Sequence, residues 1–191
     1  MIKAVVLDKP LIIDLLTRSF QKNKSVNYIV KYSRDPKKGI YALMDYSFEL
    51  CFRYGEVWIS DNRKACALIL FPHLRRTTLR SVLLDIGLIV KAIGLRGLPG
   101  ALKREAKIKA IQPKTDMVYL WFIGVEPDYQ HRGIGSELLA EVIADASRRK
   151  LPVYLETSTL KNLPWYKRFG FEIYDQLVLD YTLFFLKRIP G

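Results

Sequence analysis

The chain has 191 residues, half of them hydrophobic, which suffices for one substantial core and excludes a generally disordered protein. Its 31 basic and 19 acidic residues give a formal net charge of +12. This charge fits a soluble protein with a polyanionic small ligand, and it also fits a nucleic acid or an anionic membrane as partner. The length predicts a single domain over residues 1–191.

The cysteines and the apolar stretches predict where in the cell the protein is located. Cys51 and Cys66 have no metal-binding or redox spacing, which predicts two reduced core residues in a cytoplasmic protein. The N-terminus becomes polar too soon for a signal peptide. The most apolar stretch, residues 82–98, is interrupted by charges and predicts no membrane span. Because no His, Cys, Asp or Glu cluster has ligand spacing, no metal is expected.

The first third of the chain predicts one strand and two helices. Residues 2–6 form an extended apolar run, and Asp8 and Pro10 are typical of a helix cap and first turn. A second helix is predicted over about residues 37–53. The apolar stripe of the first helix is expected at Leu11, Leu15, Leu16 and Phe20.

A hairpin and two further helices follow. Residues 57–59 and 65–71 read as strands joined by a five-residue polar loop. Residues 73–112 then predict two helices, at about 78–93 and 99–111, separated by glycines and a proline. The apolar positions of the first of these helices are Val82, Leu83, Ile86, Ile89, Val90 and Ile93.

The junction after the next strand predicts an anion site. Residues 117–125 are apolar throughout, as in a strand covered on both faces, and an amphipathic helix is predicted from about 136 to 149. Gly133 and Gly135 lie between them. The first N–H groups of a helix lack intrahelical partners and carry partial positive charge, and glycine lets a phosphate approach the backbone. Arg132 adds a fixed charge.

Two common phosphate-binding motifs do not fit this junction. A P-loop requires G-x-x-x-x-G-K-[ST], which does not occur. A dinucleotide fingerprint requires a third small residue at the position of Leu138. The motif that remains is Q-x-x-G-x-G, from Gln130 to Gly135.

The C-terminal part completes an alternating pattern. A strand is predicted at 153–157, a short helix at about 164–169, and two strands at 171–174 and 177–185. Strand–helix–strand order with additional antiparallel pairs predicts a mixed α/β sheet.

Three of these segments carry a family resemblance. Residues 123–135 resemble the acetyl-CoA pyrophosphate loop of the GNAT N-acetyltransferases, and residues 155–158 and 162–171 resemble that family's next strand and catalytic helix. The resemblance covers residues 117–173 and is strongest to the puromycin N-acetyltransferase branch. It implies the GNAT acyl-CoA N-acyltransferase fold, with residues 73–112 as a two-helix insertion, and acetyl-CoA as co-substrate.

The resemblance also implies which residues contact acetyl-CoA. The family's strand separates from its neighbour, so the N–H groups of Ile123 and Val125 would hold the thioester and the pantetheine arm. Gly124 between them marks either a close backbone approach or packing under a helix. Tyr166 would protonate the CoA thiolate, with simple packing as the alternative, and Asn162 would both cap its helix and contact pantetheine. The full predicted set is Ile123, Gly124, Val125, Gln130, His131, Arg132, Gly133, Ile134, Gly135, Ser136, Asn162 and Tyr166.

The resemblance indicates the general base and the acceptor contacts less directly. Many GNAT enzymes place an acid on the central strand, but residues 117–125 contain none. Glu156 on the next strand is the candidate base and acceptor contact, with a structural hydrogen bond or ion pair as an equal alternative. Tyr28 and Tyr32 are candidate acceptor contacts, with ordinary packing as the alternative. His131 is expected beside the ligand rather than as a base.

The leading interpretation is a cytoplasmic N-acetyltransferase that moves an acetyl group from acetyl-CoA to a primary amine of a small molecule, directly in a ternary complex. The alternatives are a protein or peptide amine as acceptor, a CoA-binding module without turnover, and a basic nucleic-acid-binding domain. The insertion at residues 73–112 would carry substrate choice or a homodimer contact.

Overall fold

Seven β-strands within residues 1–190, the part of the chain that the computed structural model describes, form one mixed sheet. The sheet order is β1-β2-β3-β4-β5-β7-β6, and β4 and β5 are the parallel neighbours. The predicted mixed α/β sheet is therefore confirmed. The strands are β1 (Ile2–Lys3), β2 (Gly55–Ile59), β3 (Ala65–Leu70), β4 (Val118–Val125), β5 (Val153–Thr157), β6 (Glu172–Val178) and β7 (Thr182–Arg188).

Seven α-helices accompany the sheet in the same residues. Two of them lie between β3 and β4, as the insertion predicted from the sequence requires, and the first of these continues into a π-helical turn, Ile89–Ile93. The helices are α1 (Lys9–Phe20), α2 (Lys24–Val30), α3 (Pro36–Tyr54), α4 (Leu79–Leu88), α5 (Leu98–Ile111), α6 (Ile134–Arg148) and α7 (Leu163–Arg168).

Helices α1 and α3 pack on one face of the sheet, and α6 and α7 pack on the other. Leu16 and Phe48 are fully buried on the first side, and Leu138 and Val142 on the second. Full burial of one such side chain stabilises the fold by about 1.5–3 kcal/mol. Gly124 of β4 lies directly under α1, because a Cβ atom there would be 2.8 Å from Cδ2 of Leu16. Packing under a helix, one of the two alternatives predicted for Gly124, therefore accounts for the glycine at this position.

The start of the chain differs from the prediction in two ways. β1 ends at Lys3 rather than at residue 6, because the Val5 N–H donates to the Asp8 carboxylate (2.9 Å) and closes a turn. The same carboxylate also accepts from Arg63, and no side-chain hydrogen bond joins Asp8 to the first turn of α1. The predicted helix-capping role of Asp8 is therefore wrong.

Two further corrections concern α1 and α2. The buried face of α1 contains Ile12 and Ile13 beside the predicted leucines, whereas Leu11 is exposed. The link predicted between the first two helices contains α2, whose start is capped by Asn23 as it accepts the Val26 N–H (3.0 Å).

The last two strands are displaced from their predicted bounds. β6 continues to Val178, so the chain turns at residues 179–181 rather than at 175–176. A register shift between Ile173 and Asp175 keeps β6 paired with β7 through this polar stretch. α6 begins at Ile134, two residues earlier than predicted.

Cys51 and Cys66 are both buried and free, as predicted, and burial raises the pKa of each thiol. Among the helices of residues 1–190, none has both the length and the apolarity needed to cross a bilayer. The same residues contain no group of three or more His, Cys, Asp or Glu side chains placed to hold a metal ion.

Candidate active site

The two parallel strands at the centre of the sheet separate after two residue pairs. Val118 pairs with Val153 and Tyr119 with Tyr154, and no pairing joins β4 to β5 beyond them within residues 1–190. A bulge lies at the start of the separated part of β4, because Leu68 and Ile69 of β3 pair with residues on either side of Trp121. A gap therefore opens between the carboxyl ends of β4 and β5.

Backbone groups of β4 face this gap. Beyond the end of β4, the Glu126 N–H donates to the Lys64 carbonyl on the β3 side (2.8 Å). Because backbone groups alternate along an antiparallel strand, Gly124 also faces β3, and Ile123 and Val125 face the gap. Two side chains verify this direction for Val125, whose carbonyl oxygen accepts from Ser19 Oγ (2.7 Å) and Gln130 Nε2 (3.2 Å).

The predicted anion loop lies at the start of α6. His131 (φ 62°) and Gly133 (φ 86°) both adopt the left-handed conformation, which reverses the chain before the helix. The carbonyl of Gly133 accepts the N–H groups of Ser136 (2.8 Å) and Glu137 (3.1 Å). Ile134 and Gly135 lie between Gly133 and Ser136. Their N–H groups stand at the helix start, where no intrahelical acceptor exists.

Charge and space at this loop fit a phosphate group. The Arg132 guanidinium lies 5.0 Å and the Lys64 ammonium 4.7 Å from the ring centre of Tyr129, so two cations stand beside the loop. No heavy atom lies within 4 Å of where a Cβ atom of Gly133 would project. At Gly135 a Cβ atom would come within 3.1 Å of Val125 Cγ2, so a side chain there would crowd β4.

Helix α7 is joined to this loop by a tryptophan. The Trp165 indole N–H donates to Ser136 Oγ (2.9 Å), and its ring is tilted by 51° against the neighbouring Tyr166 with centroids 4.7 Å apart. The Tyr166 ring also meets Phe171 edge-on at 5.6 Å and is 5% exposed. The Tyr166 ring is therefore held between Phe171 and Trp165, and Trp165 contacts the start of α6.

The Tyr166 phenol keeps its proton at neutral pH. Burial raises its pKa above the ordinary value, and no charge or hydrogen bond from residues 1–190 contributes to the shift. A neutral phenol held in this way can donate a hydrogen bond or a proton. Asn162 precedes α7 but makes no side-chain capping bond, so its predicted capping role is wrong and its amide is available to other partners.

Glu156 belongs to a hydrogen-bonded group that the sequence does not reveal. The Tyr119 hydroxyl donates to one of its carboxylate oxygens, and Gln112 Nε2 donates to the other (2.8 Å). Burial raises the pKa of Glu156, while the two hydrogen bonds and the nearby Arg104 guanidinium act in the opposite direction. Desolvation also raises the pKa of Tyr119, so this hydroxyl stays protonated.

The insertion supplies one wall of this region. Gln112 directly follows α5, and Arg104 two turns earlier donates to the hydroxyls of Tyr181 (2.8 Å) and Ser25 (2.6 Å). α5 therefore joins α2, the turn before β7 and the end of β5. None of these links was predicted, and the local sequence around Gln112 and Arg104 carries no signal for them.

The two predicted acceptor contacts lie at the outer side of this wall. Tyr28 meets Tyr181 edge-on with ring centroids 5.7 Å apart. Together with Tyr32 and Arg96 it lines a cavity of about 110 Å³ between α2 and the start of α5. Within residues 1–190 neither tyrosine hydrogen-bonds to Glu156, which is held by Tyr119 and Gln112 alone.

Comparisons with known proteins find one similar family. Residues 89–173 match the model of the acetyltransferase (GNAT) domain. An uncharacterized N-acetyltransferase of Schizosaccharomyces pombe is 37% identical over 60 residues, which are 31% of this chain and 24% of that protein. The chain thus spans about a quarter of the length of this relative. These matches show that this part of the chain is similar to a GNAT acetyltransferase domain.

The fold comparison extends over the whole chain. A Corynebacterium glutamicum structure described as histone acetyltransferase HPA2 and related acetyltransferase has a TM-score of 0.71 at 19% identity, covering 100% of this chain and 95% of its own. Arylalkylamine N-acetyltransferase 2 of Aedes aegypti has a TM-score of 0.68 at 15% identity, covering 100% and 98%. At these identities the likeness establishes the fold.

Proposed function

We propose that this chain transfers the acetyl group of acetyl-CoA to a primary amine that is bound at the same time. The observation that supports this most is the opening of β4 away from β5 directly before the Gly133–Gly135 helix start, to which Trp165, the neighbour of Tyr166, is joined by its hydrogen bond to Ser136. One opening thus combines unpaired strand N–H groups, a phosphate site and a protonated phenol.

Each group has a role in this proposal. The loop from Gln130 to Ser136 binds the CoA pyrophosphate, and the Ile123 and Val125 N–H groups hold the pantetheine arm and polarise the thioester carbonyl. As the amine nitrogen bonds to the acetyl carbon, the carbon–sulfur bond breaks. The Tyr166 hydroxyl gives its proton to the departing sulfur. Asn162 contacts the pantetheine arm with its free amide.

Glu156 is the proposed base. A primary amine with an ordinary pKa near ~10.4 is protonated at neutral pH and must lose that proton before it can attack. The carboxylate of Glu156 stands at the end of β5, on the far edge of the gap from β4, and has no cation within 4 Å among residues 1–190. It can therefore accept the ammonium proton, directly or through a water.

The insertion supports a small amine as acceptor rather than a peptide. α5 covers the end of β5 through the Gln112–Glu156 bond, and Arg104 closes the adjoining side through Ser25 and Tyr181. An extended peptide would have to displace this wall. Tyr28 and Tyr32 then line the outer part of the acceptor path. The similarity to the puromycin N-acetyltransferase branch, the cytoplasmic location and a homodimer stay predictions.

An acceptor screen tests the function. The purified chain is incubated with acetyl-CoA and either a library of small primary amines or a library of peptides with free N-termini. We expect free CoA thiol and acetylated amine, measured by a thiol reagent and by mass spectrometry, to form in equal amounts with members of the first library. Acetyl-CoA binding without product from either library would instead show a CoA-binding module, and products from peptides alone would show a peptide acetyltransferase.

Replacing Glu156 tests the base. In Glu156→Gln, kcat at pH 7 should fall by about 10²-fold or more, and the rise of rate with pH through the Glu156 pKa should disappear. The matched control is Glu172→Gln, which removes an exposed carboxylate of β6. A Glu156→Gln enzyme with the wild-type pH profile would show that the carboxylate is structural.

The same variant has an expected stability signature. Because burial raises the pKa of Glu156 above its unfolded value, its contribution to stability is fully present below the unfolded pKa and is lost as pH rises through the folded pKa. Glu156→Gln lacks this titration. Its Tm relative to the wild type should therefore increase as pH rises above the ordinary glutamate pKa of 4.5 in thermal denaturation. A difference that stays constant with pH would contradict the pKa shift.

A further inference from the structure

The outward face of α4 is apolar. Leu79 is 80% exposed, Leu83 60% and Val90, in the π-helical turn that follows α4, 70%, and Val82 and Ile86 are exposed between them. These positions are three or four residues apart, so they form one stripe about 16 Å long at ~1.5 Å per helical residue. An exposed apolar stripe of this kind on a soluble domain marks an interaction site.

The other side of α4 packs on the protein. Leu84 and Leu88 pack against the core on the side of α1 and α3. Between them, Asp85 accepts from the Tyr46 hydroxyl of α3 (2.7 Å), and Ser81 is buried at the first turn. α4 is thus apolar on both sides, whereas an ordinary surface helix has one apolar side, which packs on the core. These contacts fix the orientation of the helix, so the apolar stripe stays directed outward.

Basic residues outnumber acidic ones around the stripe, and one of them, Arg80, also pairs with Glu49 of α3 (3.4 Å). Between residues 74 and 104 the chain has seven basic residues and a single acid, Asp85, which faces inward. At about 3.6 residues per turn, Arg80 and Lys91 lie on the same flank of the stripe, and Arg76 precedes the helix on that flank. We call these three side chains, together with Leu79, Val82, Leu83, Ile86 and Val90, the α4 surface.

We propose that the α4 surface docks on an anionic lipid bilayer, with α4 lying in the plane of the interface. An apolar stripe flanked by arginine and lysine is the pattern of helices that insert their apolar side between lipid headgroups while their cations meet acidic lipids. The formal net charge of +12 strengthens this attraction over the whole chain.

Charge complementarity favours the bilayer over two other occupants. A second copy would bring the same basic rim against this one, and like charges across an interface disfavour association. A nucleic acid would engage the cations but leave the five apolar side chains without a partner, since its affinity comes mainly from phosphate contacts. The bilayer satisfies both features of the surface at once.

Vesicle co-sedimentation tests the proposal. The probes are vesicles of phosphatidylcholine alone and vesicles containing about 30% phosphatidylserine, at ionic strengths of about 0.1 M and about 1 M. We expect the chain to sediment with the phosphatidylserine vesicles at low salt and much less with phosphatidylcholine or at high salt. Val90→Asp should weaken this partition at least about tenfold. Val178→Asp is the matched control, since Val178 is equally exposed (70%) at the end of β6.

Three results would overturn the proposal. The first is no sedimentation of the wild-type chain with anionic vesicles. The second is an equal loss of binding in Val90→Asp and Val178→Asp, with both variants folded by circular dichroism. The third is a stable wild-type dimer in sedimentation equilibrium that Val90→Asp dissociates, because a second copy would then cover the stripe. Retained vesicle binding in Val178→Asp, together with its loss in a folded Lys91→Glu variant, would support the bilayer.

Discussion

Tyr166→Phe should lower kcat by about 10²–10⁴-fold while the affinity for acetyl-CoA changes little. The substitution keeps the aromatic ring, so the tilted contact with Trp165 and the edge-on contact with Phe171 are retained. It removes the phenol hydroxyl that is the proposed proton donor, whose pKa burial raises above the ordinary value. Steady-state kinetics at saturating acetyl-CoA across pH, with the amine found in the acceptor screen, provides the measurement.

A second buried tyrosine controls for the loss of a hydroxyl. Tyr154 lies on β5 with its ring edge-on to Tyr174. It pairs with Tyr119 of β4, in the part of the sheet where these two strands are still hydrogen-bonded. Tyr154→Phe should leave kcat within about twofold of the wild type, since this hydroxyl is outside the opening. If Tyr166→Phe and Tyr154→Phe both turn over at the wild-type rate at every pH, solvent protonates the thiolate and Tyr166 only packs.

Gly135→Val should abolish binding of CoA. A Cβ atom at this position would already lie 3.1 Å from Val125 Cγ2, and the two further methyl groups of valine would occupy the start of α6 where the phosphate needs the backbone. Crowding of Val125 should also cost about 1–3 kcal/mol of stability, which leaves the chain folded at low temperature. Isothermal titration calorimetry with CoA, after circular dichroism verifies the fold, measures the loss.

Gly87→Val is the matched control for this substitution. Gly87 lies within α4 with no heavy atom near the position of a new Cβ atom, so valine enters a helix at an open site. Because valine has a slightly higher helix propensity than glycine, this variant should be as stable as the wild type or more stable by about a few tenths of a kcal/mol, and it should keep its affinity for CoA. Normal CoA affinity in a folded Gly135→Val protein would exclude the Gln130–Ser136 loop as the pyrophosphate site.

The turn that leads into α6 was predictable because its signals are local. Gly133 and Gly135 stand directly between an apolar strand and an amphipathic helix, and the left-handed φ of Gly133 is the reason a glycine is needed there. The predicted strand and helix both form, with α6 beginning two residues early. The separation of β4 from β5 was available only through the family resemblance, since sequence periodicity does not report strand pairing.

The surroundings of Glu156 could not be read in the same way. Its partners Tyr119 and Gln112 are 37 and 44 residues away in the chain, and the fold alone brings them together.

The orientation of α4 could not be predicted from the sequence either. Helical spacing of Val82, Leu83, Ile86 and Val90 predicts the helix, but it also suggests that this side is buried. In the structure this side is exposed, because α4 packs on the core through its other side, with Leu84 and Leu88. The spacing of apolar residues identifies one face of a helix but does not show what that face contacts.

Residue-resolved NMR during a CoA titration tests the central claim most directly. The claim is that the Ile123 and Val125 N–H groups in the strand gap and the N–H groups at Gly133 and Gly135 together hold one CoA molecule. We predict that these four amide resonances show the largest chemical-shift changes and the strongest slowing of hydrogen exchange. Changes centred instead on the Tyr28 cavity, or no change at saturating CoA, would contradict the account.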